Sequence, residues 1–270
     1  MAALWIYSAA VLHPARILRG AGLLPAEVDG DLPLPTSRPG LGPRFSRRPD
    51  LPVLRSEPSV HDDLVTGFDR FAELYPALVM PFSRPLFDEM LALMRGFLPS
   101  NARVLDAGCG PGTEARRVAR LVPEGEVVGV DLAAGMVRAA HRAARAEGLE
   151  NCAFVQADVG DLPGEFEGAF DVVYSCLAHH HYPDPPAATA SVLRCLRPAG
   201  VYLVLDPGPA HYARLMAPLG RWADPGWIGF EDPDGFRRLF AEAGFARTAW
   251  VQLLPGFGVA TAQKDGSGMS

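Results

Sequence analysis

A doubly wound α/β sheet is the fold this sequence predicts, and three observations carry it. A short apolar run, Val104-Leu105, passes through Asp106-Ala107 into Gly108-Cys109-Gly110-Pro111-Gly112, with glycine at alternate positions. A helix-like segment then begins at Thr113, so the run reads as a buried strand turning sharply into a helix. Two more apolar runs downstream each close on an acidic residue, and helical segments separate them, as alternating strands and helices require.

The glycine turn lacks side chains at three points, which lets a ligand approach the backbone closely. Asp131 closes Val127-Val128-Gly129-Val130 at a position 25 residues after Asp106. A carboxylate at the tip of the second strand of such a unit is placed to accept hydrogen bonds from both ribose hydroxyls of a nucleoside. Asp158 follows Cys152-Ala153-Phe154-Val155-Gln156-Ala157, where its side chain faces an adenine amino group and the amide of Val159 a ring nitrogen. Asp106 itself has two readings: it accepts from an ammonium group, or it holds the glycine turn through backbone amides. A dinucleotide site expects G-x-G-x-x-G to cradle a pyrophosphate. The G-x-G-x-G found here suits a ligand without phosphate.

Composition bounds the rest. The chain has 270 residues, 49% of them apolar, which permits one large domain with an extension. A net charge of −6 gives no basic footprint and speaks against a nucleic-acid partner. Lys264 is the one lysine beside 24 arginines, and with abundant Ala, Pro and Gly this points to a GC-rich bacterial genome. Cys109, Cys152, Cys176 and Cys195 form no C-x-x-C pair and read as buried free thiols of a reducing cytoplasm.

Five segments follow along the chain. Residues 1–30 are an apolar arm, with Trp5, Ile6, Tyr7, Val11, Leu12, Ile17 and Leu18 interrupted by His13, Pro14, Arg16 and Arg19. Those interruptions exclude a membrane-spanning helix, and the lack of a basic start argues against a signal peptide. The arm either packs on protein, this domain or a second copy in a homodimer, or lies on a membrane surface; protein contact is favoured because only two basic residues accompany it. Residues 31–60 are a proline-rich linker, with seven prolines in 31–58. Residues 61–100 are a helical lid, on the spacing of Phe68, Phe71, Leu74 and Leu78. Pro76, Pro81 and Pro85 are expected to break it into pieces before a helix over 85–97. Residues 101–263 are the α/β domain that carries the glycine turn, and 264–270 a flexible tail.

The motifs Asp106-Ala-Gly-Cys-Gly-Pro-Gly112, Gly129-Val-Asp131-Leu132, Gln156-Ala-Asp158-Val159 and Phe170-Asp-Val-Val-Tyr-Ser175 resemble those of class I S-adenosylmethionine-dependent methyltransferases, in the family's order and near its spacings. The likeness covers roughly residues 100–263. It implies a Rossmann-like, mostly parallel seven-stranded sheet with its last strand antiparallel, beneath an N-terminal helical lid. It also implies S-adenosyl-L-methionine as cofactor, held by Asp106, Gly108, Cys109, Gly110, Asp131, Leu132, Met136, Asp158, Val159 and Cys176. Met136 covers the adenine or packs in the core.

Predicted helices cover 113–122, 134–147, Pro185–Leu196 with Asp184 as N-cap, and 233–243. Predicted strands after the fourth cover 201–205, 245–254 and 257–263. Ala199 stands where the family usually has a second glycine, a departure expected only to shift the turn.

His179-His180-His181 follow the fourth strand. Three consecutive residues of an extended segment point to alternate sides and have no acidic or cysteine partner at ligand spacing, so a metal site is excluded. The resemblance places this loop beside the transferred methyl group, with His180 and His181 matching the paired histidines of small-molecule members. A histidine there takes a proton from an attacking hydroxyl or merely shapes the pocket. Tyr75 in the lid is the third catalytic candidate. No Asn-Pro-Pro-aromatic sequence follows strand four, which argues against nitrogen as acceptor.

The carboxy-terminal run Phe236 to Phe245 and Leu254 to Ala262 resembles the quinone-biosynthesis branch, which methylates carbon or oxygen of lipophilic phenols, polyketides and related metabolites. Tyr212, Met216, Trp222, Trp227 and Phe230, in the insertion 208–232, supply an apolar pocket wall or a helical pair over the sheet edge. Two other functions stay open: a cyclase or rearrangement enzyme that binds the same cofactor, and a non-catalytic partner subunit.

Overall fold

The computed structural model describes residues 75–208, 229 and 231–266. The arm, the linker, Phe68, Phe71, Leu74 and all five aromatic and methionine residues of the insertion lie outside these residues, as does the tail beyond 266.

Seven strands form one sheet: β1 (Arg103–Ala107), β2 (Glu126–Asp131), β3 (Cys152–Gln156), β4 (Phe170–Cys176), β5 (Leu196–Pro207), β6 (Arg247–Leu254) and β7 (Phe257–Gln263). Their order is β3-β2-β1-β4-β5-β7-β6. The first five run parallel, while β7 pairs antiparallel with both β5 and β6. Strands covered by helices on both faces need apolar side chains throughout. β1 is accordingly buried at every position, and so is β2 up to Asp131.

Two apolar clusters fill the two faces. On one, α1 (Tyr75–Met94), α2 (Thr113–Ala119) and α3 (Ala134–Ala146) pack through Phe87, Met90, Val118 and Ala140 onto Val104, Val127, Phe154 and Leu203. On the other, α4 (Pro185–Cys195) and α5 (Pro233–Ala243) pack through Val192, Phe236 and Phe240 onto Leu105, Val128, Val173 and Tyr202.

Register at the floor of the sheet is fixed by charge. Arg103 opposes Glu126 in the ladder and donates to its Oε2 at 3.0 Å, while its backbone N–H donates to Asp171 Oδ2 at 2.6 Å. Arg197 completes this group from β5 by pairing with Asp171.

Five expectations need correction. The prolines do not break α1, which runs unbroken from Tyr75 to Met94. Pro76 sits in the first turn, whose N–H groups have no intrahelical partner in any case. Pro81 and Pro85 each remove one bond, and burial of Leu86, Phe87, Met90, Leu93 and Met94 against the sheet holds the following turns. α2 stops at Ala119 rather than 122, the chain turning with Leu121 N–H bonded to the Val118 carbonyl.

β5 begins at Leu196, five residues early, because Leu196 pairs with Phe170 before an irregularity carries the ladder to Val201 and Val172. Lys264 and Asp265, assigned to the tail, are tied down: Lys264 Nζ donates to the carbonyls of Leu193 and Leu196, and the Asp265 carbonyl accepts from Ala199.

Ala199 lies in that irregularity at φ +61°, a left-handed conformation that disfavours a Cβ. The departure from glycine therefore strains the backbone instead of merely moving the turn. Ala199→Gly is expected to raise stability by about 0.5–1 kcal/mol, read as a shift in the denaturation midpoint at unchanged slope.

Candidate active site

The strand order reverses between β1 and β4, and a ligand crevice forms outside the carboxyl ends of the strands at such a point. A cleft of about 1020 Å³, its open mouth included, lies there. Its floor is the turn between β1 and α2. Gly108, Gly110 and Gly112 all have positive φ.

The three do different work. A Cβ on Gly108 would lie 2.6 Å from Ala178 Cβ, so this glycine lets the turn meet the loop after β4. A Cβ on Gly112 would strike the Phe154 ring at 2.5 Å. A Cβ on Gly110 would meet nothing within 4 Å beyond its chain neighbours, and Gly110 lines the cleft. The backbone is held in place by Asp131, whose Oδ2 accepts from Gly110 N–H at 2.8 Å and Oδ1 from Ala133 N–H at 2.9 Å.

Every residue assigned to the cofactor lines this one cleft: Asp106, Gly108, Cys109, Gly110 from the first turn, Asp131, Leu132 and Met136 from β2 and α3, Asp158 and Val159 beyond β3, and Cys176 from the end of β4. Asp158 also caps its own turn, its Oδ1 accepting from Gly160 N–H at 2.8 Å. Met136 is both core and lining, 2% exposed.

Asp106 is buried at the cleft's base, where Tyr174 O–H donates to its Oδ2 at 2.8 Å. Burial pushes its carboxyl well above the usual carboxylate range; the Tyr174 bond opposes this, and Glu114 and Asp131 add to it. Burial likewise raises the Cys109 and Cys176 thiols, so neither is a ready nucleophile. No group of His, Cys, Asp and Glu with metal-site spacing occurs among the described residues.

The histidine segment is not extended. His179–His181 form a single 3₁₀ turn, with His181 N–H bonded to the Ala178 carbonyl at 3.0 Å, and the three side chains diverge. His179 points into the core between Tyr182 and Phe236, at ring distances of 5.1 and 5.0 Å. Burial pulls it down to about 4, with only partial opposition from Asp206.

His180 is not among the residues that line the cleft. It is 7% exposed, and its Nδ1 hydrogen-bonds the fully buried Asp206 Oδ1 at 2.7 Å. The 3₁₀ turn is the reason, since it rotates His180 toward β5. His181 does line the cleft, its ring 4.0 Å from that of His180. Tyr75 is the first residue of α1, and its side chain falls outside the described residues.

Sequence reasoning missed several residues. Tyr182 lines the cleft and locks its wall, donating to the Ala107 carbonyl at 2.8 Å with Ser175 Oγ 2.9 Å away. Glu114 lines it too, with Oε1 buried and without a hydrogen-bond partner. Asp206 gave no local motif; its position at the end of a strand, as with Asp131, was the available signal.

S-adenosylmethionine passes a test of fit. A backbone surface without side chains at Gly110, carboxylates at the ends of β2 and beyond β3, and an acidic floor answer an uncrowded nucleoside and a cationic tail.

Comparisons with known proteins agree. Residues 104–200 match the family described as a methyltransferase domain. Nocamycin O-methyltransferase of Saccharothrix syringae is 37% identical over 56% of this chain and 53% of its own length. Trans-aconitate 2-methyltransferase of Deinococcus radiodurans is 36% identical over 58% of each. Demethylmenaquinone methyltransferase of Thermus thermophilus is 31% identical over 53% of this chain and 74% of its own. The chain thus spans about half the length of the first two relatives.

Among solved structures, the YcgJ protein of Bacillus subtilis aligns with a TM-score of 0.57 at 26% identity, over 63% of this chain and 71% of that one. A sheet with this order, a glycine turn opening on a cleft, and these relatives lead to one conclusion: the chain belongs to the class I S-adenosylmethionine-dependent methyltransferases.

Proposed function

We propose that this protein transfers the methyl group of S-adenosyl-L-methionine to an oxygen or carbon of a lipophilic small molecule, a phenol, polyketide or quinone-like metabolite. One observation carries the reading. The carboxylates of Asp131 and Asp158 and the imidazole of His181 line the same cleft, so a nucleoside seat and a proton acceptor share one cavity.

When bound, the cofactor would supply a methyl group on a positively charged sulfur, which would leave as a neutral thioether as the methyl passes to the acceptor. The protein's part is to hold the acceptor near that carbon and exclude water, and positioning supplies much of the rate. His181 takes the proton of a hydroxyl acceptor as its oxygen forms the new bond to carbon. His180, anchored by Asp206 and set against His181, is a positioning residue. Asp131 receives the ribose hydroxyls, Asp158 the adenine amino group, and Met136 lies along the ring.

An apolar acceptor suits the surroundings. Leu177 and Pro183 line the cleft, and Phe257 pairs with Pro207 at the same end of the sheet, placing the half-buried hairpin tip Leu254–Phe257 nearby. The nocamycin and ubiquinone O-methyltransferases support oxygen as acceptor, and demethylmenaquinone methyltransferase a quinone-like substrate. No helix among the described residues is long and apolar enough to cross a membrane. With its four free thiols we assign the protein to the cytoplasm, and a homodimer through residues 1–30 belongs to the same proposal.

The test uses cofactor labelled in its methyl group, offered with phenolic, quinol and polyketide acceptors and followed by mass spectrometry. Label in an ether or aryl-methyl product is expected. For a hydroxyl acceptor, His181→Ala should lower kcat about 100-fold or more, with part of the rate regained at high pH as the hydroxyl ionises unaided. Transfer to none of these classes by protein that binds the cofactor would overturn the reading.

A further inference from the structure

Among the described residues, two that are not glycine have a positive φ: Leu177 at +52° and Ala199 at +61°. The left-handed region crowds a Cβ against the backbone, and a bulky residue found there must be held in place by its surroundings. Ala199 carries a single methyl and is not among the residues that line the cleft. Leu177 carries a large apolar side chain and lines it.

The turn around Leu177 is held at several points. Its N–H donates to the Leu205 carbonyl at 2.8 Å, which carries the β4–β5 ladder one bond past Cys176. Ala178, at φ −129°, sits against Gly108, on which a Cβ would lie 2.6 Å from that of Ala178. The 3₁₀ turn His179–His181 follows at once, and Tyr182 ties its far end to the Ala107 carbonyl. Between an extended strand and that turn the chain must change direction within two residues, and the left-handed residue turns it. Glycine would make the same bend without strain, so the bend accounts for the φ and leaves the leucine unexplained.

What the leucine adds is its side chain. It is half-buried, packed on the apolar cluster beneath α1, α2 and α3, and it lines the cleft. His181 lines the same cleft from the far end of the same turn. Asp131 and Asp158 stand at the end of β2 and beyond β3, on the opposite side of β1 from β4.

We propose that Leu177 is the acceptor-specificity residue of this site: its side chain seats the apolar body of a hydroxylated acceptor whose oxygen meets His181. The inference rests on the acceptor reading above. A lipophilic phenol needs one polar contact for its oxygen and apolar surface for the rest. Here the two come from opposite ends of one clamped turn, so their separation is fixed. The site then selects acceptors by the apolar bulk they carry beyond the hydroxyl.

The experiment titrates the full chain, saturated with S-adenosylhomocysteine, with phenol and with para-hexylphenol. Leu177→Ala keeps the strained backbone and removes the apolar surface, whereas Leu177→Gly removes both. Each variant is expected to weaken para-hexylphenol about 10-fold or more, and phenol and S-adenosylhomocysteine by less than about 3-fold. Leu177→Gly is also expected to melt above Leu177→Ala, since glycine alone takes this φ freely.

Equal losses for the two phenols, or none for either, would overturn the proposal. So would a loss of S-adenosylhomocysteine affinity as large as that for para-hexylphenol, which would assign Leu177 to the cofactor, or a lower melt for the glycine variant. If the smaller variants do not fold, Leu177→Phe decides: it should exclude para-hexylphenol and still admit phenol, and undiminished binding of both overturns the proposal. Wild-type protein that binds S-adenosylhomocysteine and neither phenol would strike the acceptor reading itself, and this inference with it.

Discussion

Gly110→Ala is expected to leave the protein folded and destroy cofactor binding, while Gly112→Ala, two residues on, is expected to unfold it. The contrast follows from what each new methyl would meet. At Gly110 an added Cβ would meet no atom within 4 Å beyond the chain neighbours, and φ is +51°, so the substitution costs about 1 kcal/mol of backbone strain and little else. The methyl then occupies the surface on which the ligand rests, and affinity should fall about 100-fold or more.

At Gly112 the Cβ would lie 2.5 Å from Phe154 Cε1 and 2.8 Å from Ala140 Cβ, at φ +71°. Neither neighbour can readily retreat, since Phe154 is buried in the core and Ala140 is fully buried on α3. A loss of about 3 kcal/mol or more is expected from overpacking and strain together. Thermal melts and ligand titrations of the two variants, side by side, check both halves. Equal behaviour of the two would mean that the turn is only a structural joint.

Asp131→Ala should weaken S-adenosylmethionine binding by about 1–3 kcal/mol, or roughly 5- to 150-fold. The carboxylate has two duties. Its oxygens already fix Gly110 and Ala133 at 2.8 and 2.9 Å, and in the proposed complex it accepts from the ribose. Asp131→Asn separates them: one amide oxygen can still hold one backbone N–H, but the second acceptor becomes a donor. An intermediate loss in Asp131→Asn would show the ribose and backbone roles acting together. Unchanged affinity in Asp131→Ala would remove Asp131 from the site.

What the sequence made legible was local or periodic. Strands β1, β2 and β3 are continuous apolar runs ending on a carboxylate or beside one, and the glycine turn announced its own geometry. Asp184 and Pro185 marked the start of α4, where Asp184 Oδ1 accepts from Ala187 N–H at 2.9 Å. The ten residues assigned to one ligand, from four separate stretches of sequence, all line one cleft, because parallel strands bring their carboxyl ends together whatever lies between them in sequence.

What escaped depended on contacts between distant residues. His180 looked like a residue of the reaction centre, but Asp206, 26 positions away, draws it out of the cleft. Tyr182 read as part of a loop, and only folding brings its hydroxyl to Ala107, 75 positions earlier. The prolines of α1 argued for a broken lid, and burial of Phe87 and Met90 against the sheet outweighed them. Ala199 is the reverse case, a strained position whose cost appears only once its φ is known.

The central claim is that the cleft over the glycine turn holds S-adenosylmethionine, and calorimetric titration of the purified chain with that ligand and with S-adenosylhomocysteine tests it most directly. One-to-one binding of both on the order of micromolar is expected, abolished by Gly110→Ala in a protein that still melts cooperatively. Absence of binding heat and of any thermal shift with either ligand, from folded wild-type protein, would contradict it.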